Sequence, residues 1–112
     1  MKKIAMLNCL NSNRVCTGAA CFQALNARTA GFERYRDEEI EVVAYMRCSG
    51  CDAEPDVDKG MTEKLERLKL IGTQVVHIGK CTINREGEEC KIITRSAEIL
   101  EGRGIQIVRG TH

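Results

Sequence analysis

Apolar positions along the chain follow two rhythms. Four short runs are apolar with almost no alternation: Lys3–Asn8 (KIAMLN), Glu41–Met46 (EVVAYM), Gln74–Gly79 (QVVHIG) and Gly104–Arg109 (GIQIVR). Runs of this kind suit strands covered on both faces, as in a parallel sheet. Between them the spacing turns helical. Val57, Met61, Leu65 and Leu68 step by four, four and three, and Ile93, Ala97 and Leu100 repeat that step. The first intervening segment is less regular and offers Phe22, Leu25 and Phe32 as its core. Gly31, Gly72 and Gly102 stand where the three helices should end, because glycine accepts the left-handed conformation common after a last turn.

Strands alternating with helices imply crossover connections and a three-layer α/β sandwich. The expectation is one domain spanning residues 1–112, with a four-stranded parallel sheet and three helices. Strand order 2-1-3-4 follows by analogy with flavodoxin-like, Rossmann-type sheets. A chain of 112 residues is long enough to bury a core of its own.

Composition excludes several classes. Seventeen basic and sixteen acidic residues leave a net charge of +1, and no basic run exceeds Lys2-Lys3. No net field favours nucleic acid or an anionic membrane. The opening MKKIAMLN mimics a signal peptide, but Asn8 and Asn11 cut the apolar stretch short. Nothing approaches the length of a membrane span, so a cytoplasmic protein is expected. Cysteine is the outlier, with seven in a small chain. In a reducing compartment such thiols are more often metal ligands or catalytic groups than a disulfide framework, and an odd count forbids complete internal pairing.

Their placement sharpens this. Cys9 follows the first strand, Cys48 and Cys51 the second and Cys81 the third, while His112 lies just beyond the fourth. In an open parallel sheet these carboxyl ends share one edge, where ligands bind. Neighbouring strands lie about 4.8 Å apart. Zn–S bonds of about 2.3 Å put coordinated sulfurs within reach of loops that leave adjacent strands. Cys9, Cys48, Cys51 and Cys81 form the favoured four-thiolate set. Cys16, Cys90 and His112, near the same edge, are second choices. His112 starts about two strand spacings from strand one and needs its loop to bend inward. The surplus of donors leaves two ions or an iron–sulfur cluster open beside a single zinc.

Other readings compete. Cys48-Ser-Gly-Cys51 has the spacing of a thioredoxin-like redox pair, though that pair would sit at a helix start and need no further ligands. The stretch CLNSNR, Cys9 to Arg14, resembles the phosphate loop of low-molecular-weight tyrosine phosphatases and arsenate reductases. That loop needs five residues between cysteine and arginine, and four stand here. A thiol-dependent redox or phosphatase-like enzyme is therefore the alternative to a metal-binding domain. Cys21 lies near Leu25 at helical spacing and reads as a packed core thiol. His77, within an apolar strand, reads as a hydrogen-bonded core histidine. Met6, Met46 and Met61 fit packing, and RYRDEEIE, Arg34 to Glu41, fits a solvated connection.

The ordered pieces LNC, CTGAAC, CSGC, KCT and a terminal GTH resemble the CGGC domain family over essentially the whole chain. The resemblance implies a metal-binding, zinc-first domain and implicates Cys9, Cys16, Cys48, Cys51, Cys81, Cys90 and His112. It supplies no reaction. Ser49 replaces the first glycine of the namesake motif, and Lys91 and Ile92 follow Cys90 where other members often carry a histidine. A site closed by four protein ligands leaves no position for an activated water, which favours binding, sensing or metal handling over hydrolysis. The sequence identifies no substrate and no protein partner.

Overall fold

The computed structural model describes residues 1–112. Four strands, β1 (Lys2–Asn8), β2 (Ile40–Arg47), β3 (Val75–Ile78) and β4 (Gln106–Arg109), alternate with three helices, α1 (Ala19–Ala27), α2 (Lys59–Leu70) and α3 (Lys91–Gly102). The sheet is wholly parallel in the order β2-β1-β3-β4, as the sequence predicts. Short 3₁₀ turns at Leu10–Arg14, Ala30–Tyr35 and Lys80–Thr82 complete the chain. No helix is long and apolar enough to cross a membrane.

Two cores flank the sheet. On one face α2 and α3 pack Met61, Leu65, Leu68, Ile93, Ala97 and Leu100 against Ala5, Leu7, Val76 and Ile78. On the other, α1 and the Ala30–Tyr35 turn pack Ala24, Leu25, Phe32 and Tyr35 against Ile4, Met6, Val75 and Val108. The alternation of β1, with Ile4 and Met6 on one side and Ala5 and Leu7 on the other, is what feeds both. Asp58 starts α2 by accepting a hydrogen bond from the Met61 N–H at 2.8 Å, the usual side-chain cap.

Three expectations about helix positions are corrected. Val57 precedes α2 and is 75% exposed, because Asp58 caps the helix and its first residue, Lys59, stands two positions beyond Val57. Phe22 is on α1 but half out of the core, its ring leaning on Tyr45 with centroids 5.2 Å apart. Gly31 does not end α1. Arg28 does, in the left-handed region at φ 56, and Phe32 is buried from the following 3₁₀ turn. The segment RYRDEEIE also buries one residue, Tyr35, inside an otherwise solvated stretch.

Candidate functional site at the carboxyl edge

The sheet's hydrogen-bond ladder runs on past the strands and so sets the order of their exits. Cys48 N–H donates to the Asn8 carbonyl (3.0 Å), Gly79 N–H to Leu7 (3.0 Å) and Gly110 N–H to Ile78 (2.8 Å). Those bonds lay the four connecting loops side by side along one edge. Gly79 is needed for this: a Cβ there would overlap the Asn8 side-chain oxygen. Asn8 itself is buried, although it ends an apolar strand.

Along that edge lies a small cleft of about 30 Å³. Cys9, Cys16, Cys21, Cys81 and His112 line it. The Cys81 sulfur accepts the Cys9 N–H at 3.2 Å and lies 3.5 Å from Asn8 Oδ1, to which its S–H points. Cys16 Sγ accepts the Gly18 N–H at 3.3 Å. Cys21 Sγ is 3.0 Å from Thr111 Oγ1 and 3.8 Å from His112 Nδ1, and Thr111 and His112 are themselves 3.0 Å apart. His112 thus lies beside Cys21 of α1 and lines the cleft. Cys21 is buried, as its helical spacing predicts, but its sulfur faces the cleft as well as the core.

The other thiols stand elsewhere. Cys48 is buried within the α2/α3 core, and its Sγ accepts the Leu10 N–H at 3.4 Å. Cys51 is exposed and accepts from Asn11 Nδ2 at 3.1 Å. Both bond to the turn after β1 and neither lines the cleft. Cys90 precedes α3 and packs beside the same core as Cys48. All seven thiols are unpaired. The Cys9–Asn11 segment is therefore gripped through three successive residues by the sulfurs of Cys81, Cys48 and Cys51.

The donors in the cleft are of the kind that bind soft ions, imidazole and several sulfurs from separated segments. In this arrangement no three His, Cys, Asp or Glu side chains stand together at ion-holding distance. The residues fit a soft metal by donor chemistry and by shared location. Around them are Tyr45, Arg47 and Lys80. Burial raises the Tyr45 phenol above its usual range; the Arg47 charge opposes this, and Cys21, Cys16 and Cys81 add to it. Arg47 also sits over the Tyr45 ring at 5.1 Å.

A second polar group lies deeper. His77 is fully buried on β3, hydrogen-bonded through Nε2 to the Tyr35 hydroxyl at 2.7 Å and stacked on Phe32 at 4.5 Å. Its pKa is pushed down to about 4, mainly by burial and secondarily by the Arg34 charge. It is the core histidine that the sequence suggests. Sequence reasoning missed its partner, Tyr35, whose only signal is an aromatic residue amid charges.

The fold and edge define a cysteine-rich α/β domain with a thiol-lined cleft beyond its strands. The model of the CGGC domain matches residues 3–112, and the chain belongs to that family. An uncharacterized protein, MJ0582, of Methanocaldococcus jannaschii is 33% identical over 118 residues, covering 98% of this chain and 86% of its own. No solved structure matches.

Proposed function

We propose that this domain binds a soft divalent metal ion, zinc first, at the thiol cleft, and that it serves in binding, sensing or handling that metal. One observation carries the reading. Cys9, Cys16, Cys21 and Cys81, which come from three loops or helix starts, line one small cleft with His112. Thiolates and imidazole together are the donor set that zinc takes in closed, tetrahedral sites. Metal-bound sulfurs are supported by N–H donors in the surrounding shell, and Cys81 and Cys16 already face the N–H groups of Cys9 and Gly18. A site closed by protein donors offers no place for a reacting water, which favours binding over hydrolysis. Seven unpaired thiols suit a reducing compartment, and we place the protein in the cytoplasm on that ground.

Cys9, Cys16, Cys21, Cys81 and His112 would be the candidate donors, four of them holding the ion at one time. Cys48 and Cys51 would hold the turn that carries Cys9. Cys90 would keep the start of α3 packed. Elemental analysis of protein purified without oxygen tests this. Stoichiometric zinc is expected, with Cys9→Ser, Cys21→Ser and Cys81→Ser each weakening zinc affinity by about tenfold or more, and Cys51→Ser by less. Folded protein that takes up no zinc, or zinc lost only in the Cys48 and Cys51 variants, would overturn it. A visible band of sulfur-to-iron charge transfer would assign an iron–sulfur cluster instead.

A further inference from the structure

The nitrogen side of the cleft is as distinctive as the sulfur side. Asn8 is only 3% exposed, yet its Nδ2 has no hydrogen-bond partner, and Arg47 Nε is buried without one too. Both residues line the cleft, and so does Lys80. A buried donor left without an acceptor carries its full desolvation cost, which an oxygen acceptor entering beside these two residues would relieve. The lining holds two cationic side chains and no acidic one, in a chain whose seventeen basic and sixteen acidic residues otherwise nearly cancel. The local field therefore favours an anion. The cleft's sulfurs do not supply the missing acceptors here: Cys81 Sγ takes the Cys9 N–H and Cys16 Sγ the Gly18 N–H.

Size limits the ligand. A cleft of about 30 Å³ has room for roughly two water-sized groups, enough for two oxygens of a small anion with the remainder at the mouth. A guanidinium beside an amide donor and an ammonium is a combination suited to oxygen anions, and charge-assisted bonds of this kind are the strong ones. The carboxyl edge of a parallel sheet is also where such ligands bind. We propose that the cleft binds a small inorganic oxyanion of the phosphate or sulfate type, held by Asn8 Nδ2, Arg47 and Lys80. The inference concerns nitrogen donors and does not depend on the metal reading.

The test uses the full chain, reduced and stripped of metal with chelator, at low ionic strength. Inorganic phosphate is titrated by calorimetry, with sulfate as a second probe. Saturable one-to-one binding is expected for at least one of the two. Arg47→Gln and Lys80→Gln should each weaken it about tenfold. Arg36→Gln, at an exposed position away from the cleft, should leave it unchanged. Asn8→Asp puts an acceptor where a donor stands and should abolish binding. Asn8 is buried, so circular dichroism must first show that this variant folds, and the two cation variants decide the matter regardless. No saturation by either anion up to about 10 mM, or either cation variant binding as tightly as the wild type, would overturn the proposal. Zinc uptake is measured separately, so the two readings fail independently.

Discussion

The two faces of the sheet are covered by different means. Two regular twelve-residue helices, α2 and α3, seal one face with aliphatic and sulfur side chains, and Cys48 is simply part of that core. The other face has only the nine-residue α1 and the 3₁₀ turn Ala30–Tyr35 above it. Tyr35 and His77 are buried there, tied to each other, and the layer opens at the carboxyl edge into the thiol cleft. Irregular cover leaves room for polar groups that satisfy one another, and for a gap. The Tyr35–His77 pair and the thiol cleft both lie toward the face that is covered less evenly.

The largest expected effect asks whether that irregular face is nonetheless a packed core. Phe32 is fully buried and stacked on His77, so Phe32→Ala should cost about 3–5 kcal/mol. Leu65→Ala, on the helical face, should cost about 2–5 kcal/mol. Urea unfolding of both variants measures the difference. A loss below about 1 kcal/mol for Phe32→Ala would mean that the α1 face closes over the gap or was never tightly packed.

A smaller effect separates the faces by acid. His77 has a folded pKa of about 4 against an ordinary 6.5, because burial disfavours its charged form. The unfolded chain therefore binds the proton first, and stability falls as pH drops from about 6.5 to about 4. At about 1.4 kcal/mol per pH unit, the full loss is about 3 kcal/mol. In His77→Gln that slope should vanish. Denaturant midpoints taken at several pH values would show it, and an unchanged slope in the variant would place the acid response elsewhere.

Much of the fold was legible because apolar runs and helical spacing encode it directly: VVAYM and the Met61-Leu65-Leu68 stripe each became the element they predict. The cleft was legible only in part. Position after a strand tells which edge a residue reaches, and Cys9, Cys81 and His112 reach it as expected. Which way a sulfur faces depends on local path, and Cys48 turns into the α2/α3 core while Cys21, buried on α1, also faces the cleft. Spacing carries no sign of that choice. Tyr35 was hidden for a related reason: a 3₁₀ turn lacks the longer periodicity that marks a buried helical position.

The smallest effect belongs to the helical face and gives it an acid window of its own. Arg109, at the end of β4, donates to Glu89 at 2.7 Å and 3.1 Å, and Thr94 Oγ1 donates to the same carboxylate at 2.6 Å. Burial works to raise the Glu89 pKa, but those bonds and the Arg109 charge outweigh it and hold the group below its usual range. A lowered carboxylate contributes stability that is fully present above its ordinary pKa of 4.5 and is lost as pH falls through the folded value. This window lies below that of His77. Glu89→Gln, discounted for partial exposure, should cost about 1 kcal/mol near neutral pH and nothing in strong acid. His77→Gln should flatten only the upper window and Glu89→Gln only the lower. If either variant altered both, the two faces would be titrating as one unit, and the separation drawn between them would fail.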